Sequence, residues 1–95
     1  MRRFRTNQEA LRARCDTAAR MLAMYAAAHD AAIARVLAAP DDVEARERHD
    51  DAEQLHYLAG YELRRARRAL RRREALDAFI ARWMPASGPL WPRRR

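Results

Sequence analysis

Ala39-Pro40-Asp41-Asp42 decides the fold, because it is the one break between two long runs of helix-forming residues. Proline disfavours helical geometry in the residue before it, so a helix arriving from the N-terminal side stops at Ala39. An aspartate just beyond can cap a new helix by accepting from free backbone N–H groups, and Glu44 adds negative charge to that first turn. Upstream, Phe4, Gln8, Leu11, Cys15, Ala18, Leu22, Tyr25, His29, Ala32 and Val36 recur in alternating steps of four and three. Such a heptad keeps one seam of a helix facing a neighbour. Thr6 and Glu9 stand at capping-box spacing and mark the start.

Downstream, the predicted seam is Ala52, Leu55, Ala59, Glu62, Ala66, Ala69, Arg73, Leu76, Ile80 and Trp83, widened by Leu58, Leu63 and Leu70. Glu62 and Arg73 interrupt it. Gly60 costs about 1 kcal/mol inside a helix relative to alanine, and is expected to let the two helices approach closely. The fold class is therefore all-α: an antiparallel two-helix hairpin, coiled-coil-like, over residues 1–84. Helix 1 is expected over about 6–39 and helix 2 over about 42–84, with positions summing to about 84 side by side. Residues 85–95 hold three prolines and one glycine and read as an extended tail.

Composition says what the hairpin lacks. Of 95 residues, 49% are hydrophobic, but 22 of these are alanines. Alanine is the best helix former and buries little surface. Two such helices cannot bury a large core, so completion to a bundle by oligomerisation or by a helical partner is expected. Helix 1 supplies a second apolar surface for this purpose. Thr17, Met21, Met24 and Ala28 lie well away from the first seam, and with Trp91 of the tail they form the predicted partner-binding set. Methionine suits such surfaces because its thioether chain adapts to many shapes.

All 20 basic residues are arginine and the net charge is +7. Residues 1–29 carry six arginines and two acids, residues 30–56 three arginines and eight acids, and residues 57–95 eleven arginines and three acids. Folded as a hairpin, this becomes a rod with a negative turn end and a positive open end. Opposite ends can steer copies into antiparallel or head-to-tail assembly. Arg64, Arg67, Arg68, Arg71 and Arg72 share one side of helix 2 and are the candidate anion-binding face, for acidic protein or for nucleic acid. Aromatic residues for base stacking are nearly absent from that run, and no recognition helix-turn-helix is apparent.

Candidate chemistry is sparse. Glu53-Gln54-Leu55-His56 has the E-x-x-H spacing that puts a carboxylate and an imidazole on neighbouring helical positions. With the two-helix topology it resembles the encapsulated ferritins, which implies a metal-binding dimeric four-helix bundle as one alternative. A bridging site also needs an inward carboxylate on helix 1, where that level offers Tyr25, Ala26 and His29. No metal site and no cofactor are therefore predicted. His49, among acids, is expected to be solvated, and Cys15 to act as a small apolar residue. Neither a serine nucleophile constellation nor a phosphate-cradling glycine loop is present, so no catalytic residue and no small-molecule substrate are expected.

Tyr57-Leu58-Ala59-Gly60, following His56, is similar to a stretch of the type III secretion needle co-chaperones. That resemblance implies a small helical chaperone or structural subunit whose partner is another protein. A nucleic-acid-binding accessory protein is the alternative class. A lone cysteine suits a reducing cytoplasm. Met1–Arg5 is basic without a following apolar run, and Met21–Ala39 is interrupted by His29, Asp30 and Arg35, so no secretory leader and no membrane span are expected.

Overall fold

The computed structural model describes residues 6–84. Within them α1 spans Asn7–Ala38 and α2 spans Val43–Trp83, antiparallel across a tight turn, with no strand among the described residues. At about 1.5 Å per residue the helices are roughly 48 and 62 Å long. Phe4, Trp91 and the 85–95 tail lie outside the described residues.

The helix ends are built by the residues expected to build them. The Glu9 N–H donates to Thr6 Oγ1 at 3.0 Å, and the Thr6 N–H donates back to Glu9 Oε1 at 3.2 Å. The capping box thus satisfies two backbone donors that α1 cannot satisfy itself. At the turn, the Asp42 N–H donates to the Ala39 carbonyl at 3.0 Å, and Asp42 Oδ1 accepts from the Ala45 N–H at 3.2 Å. Pro40 fits between, because it has no N–H to satisfy.

In α1 the buried and half-buried residues include every described seam position, from Gln8 through Ala18 and His29 to Val36. In α2 the seam differs from the expected one. Ala52, Ala59, Ala66 and Arg73 face inward, but Leu55, Leu76, Ile80 and Trp83 are exposed. The residues next to Leu55 and Leu76, His56 and Asp77, are half-buried instead, and the inward line runs Ala45, His49, Ala52, His56, Ala59, Leu63, Ala66, Leu70, Arg73, Asp77, with Glu62 and Ala69 half-buried beside it. It is still an unbroken alternation of four and three. Glu62 consequently lies on a flank of the seam, while Arg73 stays in it. Gln8 Nε2 donates to Asp77 Oδ2 at 2.8 Å, and Arg73 pairs with Asp77 at 3.0 Å, which closes the open end with a polar layer. These bonds hold the Asp77 carboxyl below its ordinary range, the Gln8 bond first and Arg73 second, against desolvation acting the other way.

Gly60 does not mark a close backbone approach. A Cβ built there would meet Arg64 Nη1 at 3.6 Å and Leu22 Cδ1 at 3.9 Å, ordinary contacts with side-chain ends. Gly60→Ala should therefore raise stability by about 1 kcal/mol, the helix-propensity difference between the two residues. Urea unfolding followed by circular dichroism measures this; a loss of stability would mean that the glycine itself is needed.

The core is very small. Among the described residues the buried apolar side chains are Ala18, Ala32, Ala45, Ala59, Leu63 and Ala66, and no large side chain is fully enclosed. By length and composition α1 also passes for a helix that could cross a membrane, with an 18-residue window of mean hydropathy 1.2, of which 6% is buried. In the hairpin, however, the apolar part of α1 lies beside residues 45–63 of α2. That stretch carries Arg46, Glu47, Arg48, Asp50, Asp51, Glu53 and Glu62. Each charge at the centre of a bilayer costs several kcal/mol, which weighs against the paired helices entering one together.

Candidate functional site

Two different surfaces flank the seam. On one side, side chains of Ala13, Thr17, Met21, Tyr25, Leu55 and Leu58 line an open, largely apolar groove of about 500 Å³. Toward the turn, a smaller trough of about 300 Å³ runs past Ala28, Ala31, Ala32, Ala45 and Ala52. The groove exists because small residues recur along α1 every three or four positions, which leaves a channel between the two helices instead of a ridge. Leu55 is 44% exposed and Leu58 49%. Arg14 Nε donates to Glu62 Oε2 at 3.0 Å across one end of the groove. That bond is the first cause holding the Glu62 carboxyl below its ordinary range, with the Arg14 and Arg65 charges adding to it and desolvation opposing.

Of the expected partner-binding residues, Thr17 and Met21 line the groove and Ala28 lines the smaller trough. Met24 is exposed but lines neither surface, and Trp91 lies outside the described residues. Leu55 and Leu58, expected in or beside the seam, belong to this surface instead.

On the other side, helical spacing puts Glu53, Tyr57, Gly60 and Arg64 on the opposite flank of α2. A second open groove runs there between Leu22, His29, Glu53, His56, Tyr57 and Arg64. Arg67, Arg68 and Arg71 continue that flank toward the open end, and Arg72 lies beyond it on the outer side. All five candidate anion-binding arginines are exposed. The width of a helix, about 10 Å, separates them from the apolar groove, so the two surfaces can be tested separately.

The histidines depart from expectation. His49 is half-buried rather than solvated, and its ring centre lies 5.1 Å from that of His29. His56 approaches His29 from the other side at 5.5 Å. All three histidines of the chain therefore converge on one level of the hairpin. The spacing His49, Glu53, His56 is an i, i+4, i+7 pattern, which is one face of a helix and is visible in the sequence. A seam running through Leu55 would turn that face away from α1; the observed seam turns it inward.

Comparison of the chain with family models, curated proteins and solved structures finds no match. Its function therefore rests on the chemistry of these surfaces.

Proposed function

We propose that the chain is a non-enzymatic assembly module that closes its apolar groove against a second copy, antiparallel, to make a four-helix bundle. The observation that carries this reading is the mismatch between a core of five alanines with Leu63 and a long apolar groove left open beside it. A bundle of coiled-coil-like helices buries that groove without altering the hairpin.

Charge favours a second copy as occupant. An antiparallel pair sets the acidic turn end of one hairpin, with eight acids against three arginines in residues 30–56, beside the basic open end of the other. Like ends would repel in the parallel arrangement. The groove also spans the middle of the rod, around Met21 and Leu58, where a two-fold axis brings each side chain against its own equivalent. A cytoplasmic setting fits this reading, since the single thiol needs no oxidising compartment.

Light scattering on the full chain tests it. One copy weighs 11.1 kDa, and a mass of twice that, held in high salt, is the expected result. A well-folded monomer would overturn the reading. So would a chain recovered from membranes only in detergent, one that keeps nucleic acid through high salt, or one that folds only with a different protein.

A further inference from the structure

We infer that His29, His49, Glu53 and His56 form a site for one divalent transition-metal ion of the zinc class, pinning α1 to α2 near the turn. His49 and His56 are seam positions of α2, Glu53 lies between them on the same face, and His29 reaches across from the seam of α1. Three imidazoles and one carboxylate make a complete tetrahedral set of the kind zinc takes.

Ring spacing puts His29 within reach of both histidines of α2. With a Zn–N bond of about 2.0–2.1 Å and a ring centre about 1.1 Å beyond the nitrogen, two imidazoles on one tetrahedral ion stand about 5.2 Å apart. The observed separations from His29 are 5.1 Å to His49, tilted by 32°, and 5.5 Å to His56, stacked at 25°, so the rings are near enough to share an ion but must turn edge-on to do so. His29 Nε2 is buried with no hydrogen-bond partner among the described residues. A ring nitrogen in that state is costly to keep, and coordination would satisfy its lone pair.

The donors are also partly gathered. Ligand atoms of His49, Asp50 and Glu53 already lie within 4.8 Å of one another. His49 Nδ1 stands 3.4 Å from Asp50 Oδ1, so Asp50 can hold the Nδ1–H tautomer and leave Nε2 free for a metal. His29 and His56 lie outside that gathered group, and the inference requires their side chains to turn toward it. Arg64 enters the same groove with its guanidinium over Gly60, about one turn beyond His56, so a bound cation would share the groove with that charge.

The site lies on the flank opposite the apolar groove and does not rest on the proposed dimer. Its consequence is mechanical: metal bound by His29 and by α2 closes the loop through the turn and couples helix pairing to metal supply.

Titration of the full chain with Zn(II) and Co(II) tests the inference. One ion per chain is expected, with the intense visible bands of four-coordinate Co(II). The melting temperature should rise by roughly 10–20 °C when free zinc is about a hundredfold above Kd. His29→Gln, His49→Gln and His56→Gln should each weaken zinc binding by about a hundredfold or more, and Asp51→Asn should not. Circular dichroism of each variant separates loss of a ligand from loss of the fold. The Co(II) spectrum of the unaltered chain reports the coordination number even if His29→Gln unfolds. Six-coordinate cobalt, binding that survives His29→Gln or His56→Gln in a folded variant, or no binding at all would each overturn the site. A metal-free dimer would leave the assembly reading standing.

Discussion

On the proposed antiparallel assembly, Leu58→Glu should turn a dimer into a monomer, weakening association by at least about a thousandfold. Within one hairpin Leu58 is 49% exposed and lines the mouth of the apolar groove, so a glutamate there has water to face. Leucine and glutamate are also similar helix formers. The substitution is thus nearly silent in an isolated hairpin. In the antiparallel dimer it puts two like charges into the middle of an apolar interface. Leaving an uncompensated charge buried typically costs about 3–5 kcal/mol, and each step of about 1.4 kcal/mol is a factor of ten in Kd. Tyr57→Glu is the control. It changes the neighbouring residue, also exposed, on the opposite flank of the seam, and should leave the mass unchanged. Sedimentation equilibrium of both variants reads the difference directly. Equal masses for the two would show that the groove is not the interface.

Leu63→Ala should cost about 2–5 kcal/mol per chain, the range for removing a buried leucine side chain. Leu63 is 6% exposed and is the one large side chain among the six buried apolar residues of the described part. Its alanine neighbours in the seam, Ala59 and Ala66, are already as small as a helix former can be, so little can move in to fill the space. Ala66, at 0% exposure, is already packed on all sides and limits collapse further. Thermal unfolding monitored by circular dichroism should show the midpoint falling by about 10 °C or more. A shift of a few degrees would mean that stability resides in the interface between copies and not in the hairpin seam. Taken with Leu58→Glu, the two variants divide the stability between those locations.

Part of the apolar groove is legible in the sequence. Thr17, Met21 and Ala28 repeat at helical spacing away from the first seam, which marks them as a separate face. Leu55 and Leu58 are not legible in this way, for a definite reason. Residues 52, 55, 59, 62 and residues 52, 56, 59, 63 are both alternations of three and four, and leucines occur in each. A heptad fit to one helix cannot choose between them. The choice depends on which side of α2 lets α1 come nearest, and alanines at 45, 52, 59 and 66 give that side to the line containing Leu63. The histidine cluster depends on the same choice. Keeping Ala52, Ala59 and Ala66 but replacing Leu55 by His56 in the seam turns His49 and His56 toward α1, where His29 stands at the same level.

Local chemistry alone determined the helices, their caps and the turn. Proline geometry, the Thr6 and Asp42 side chains and alanine-rich composition act over a few residues and need no partner to be effective. Charge placement along the rod was likewise fixed once the turn was known. Which faces of those helices meet was decided only by the tertiary structure, because rotating a helix by one residue, about 100°, leaves its local energies unchanged. Packing sets that angle, and with it the difference between an apolar groove left open on one flank and three histidines brought to one level of the hairpin.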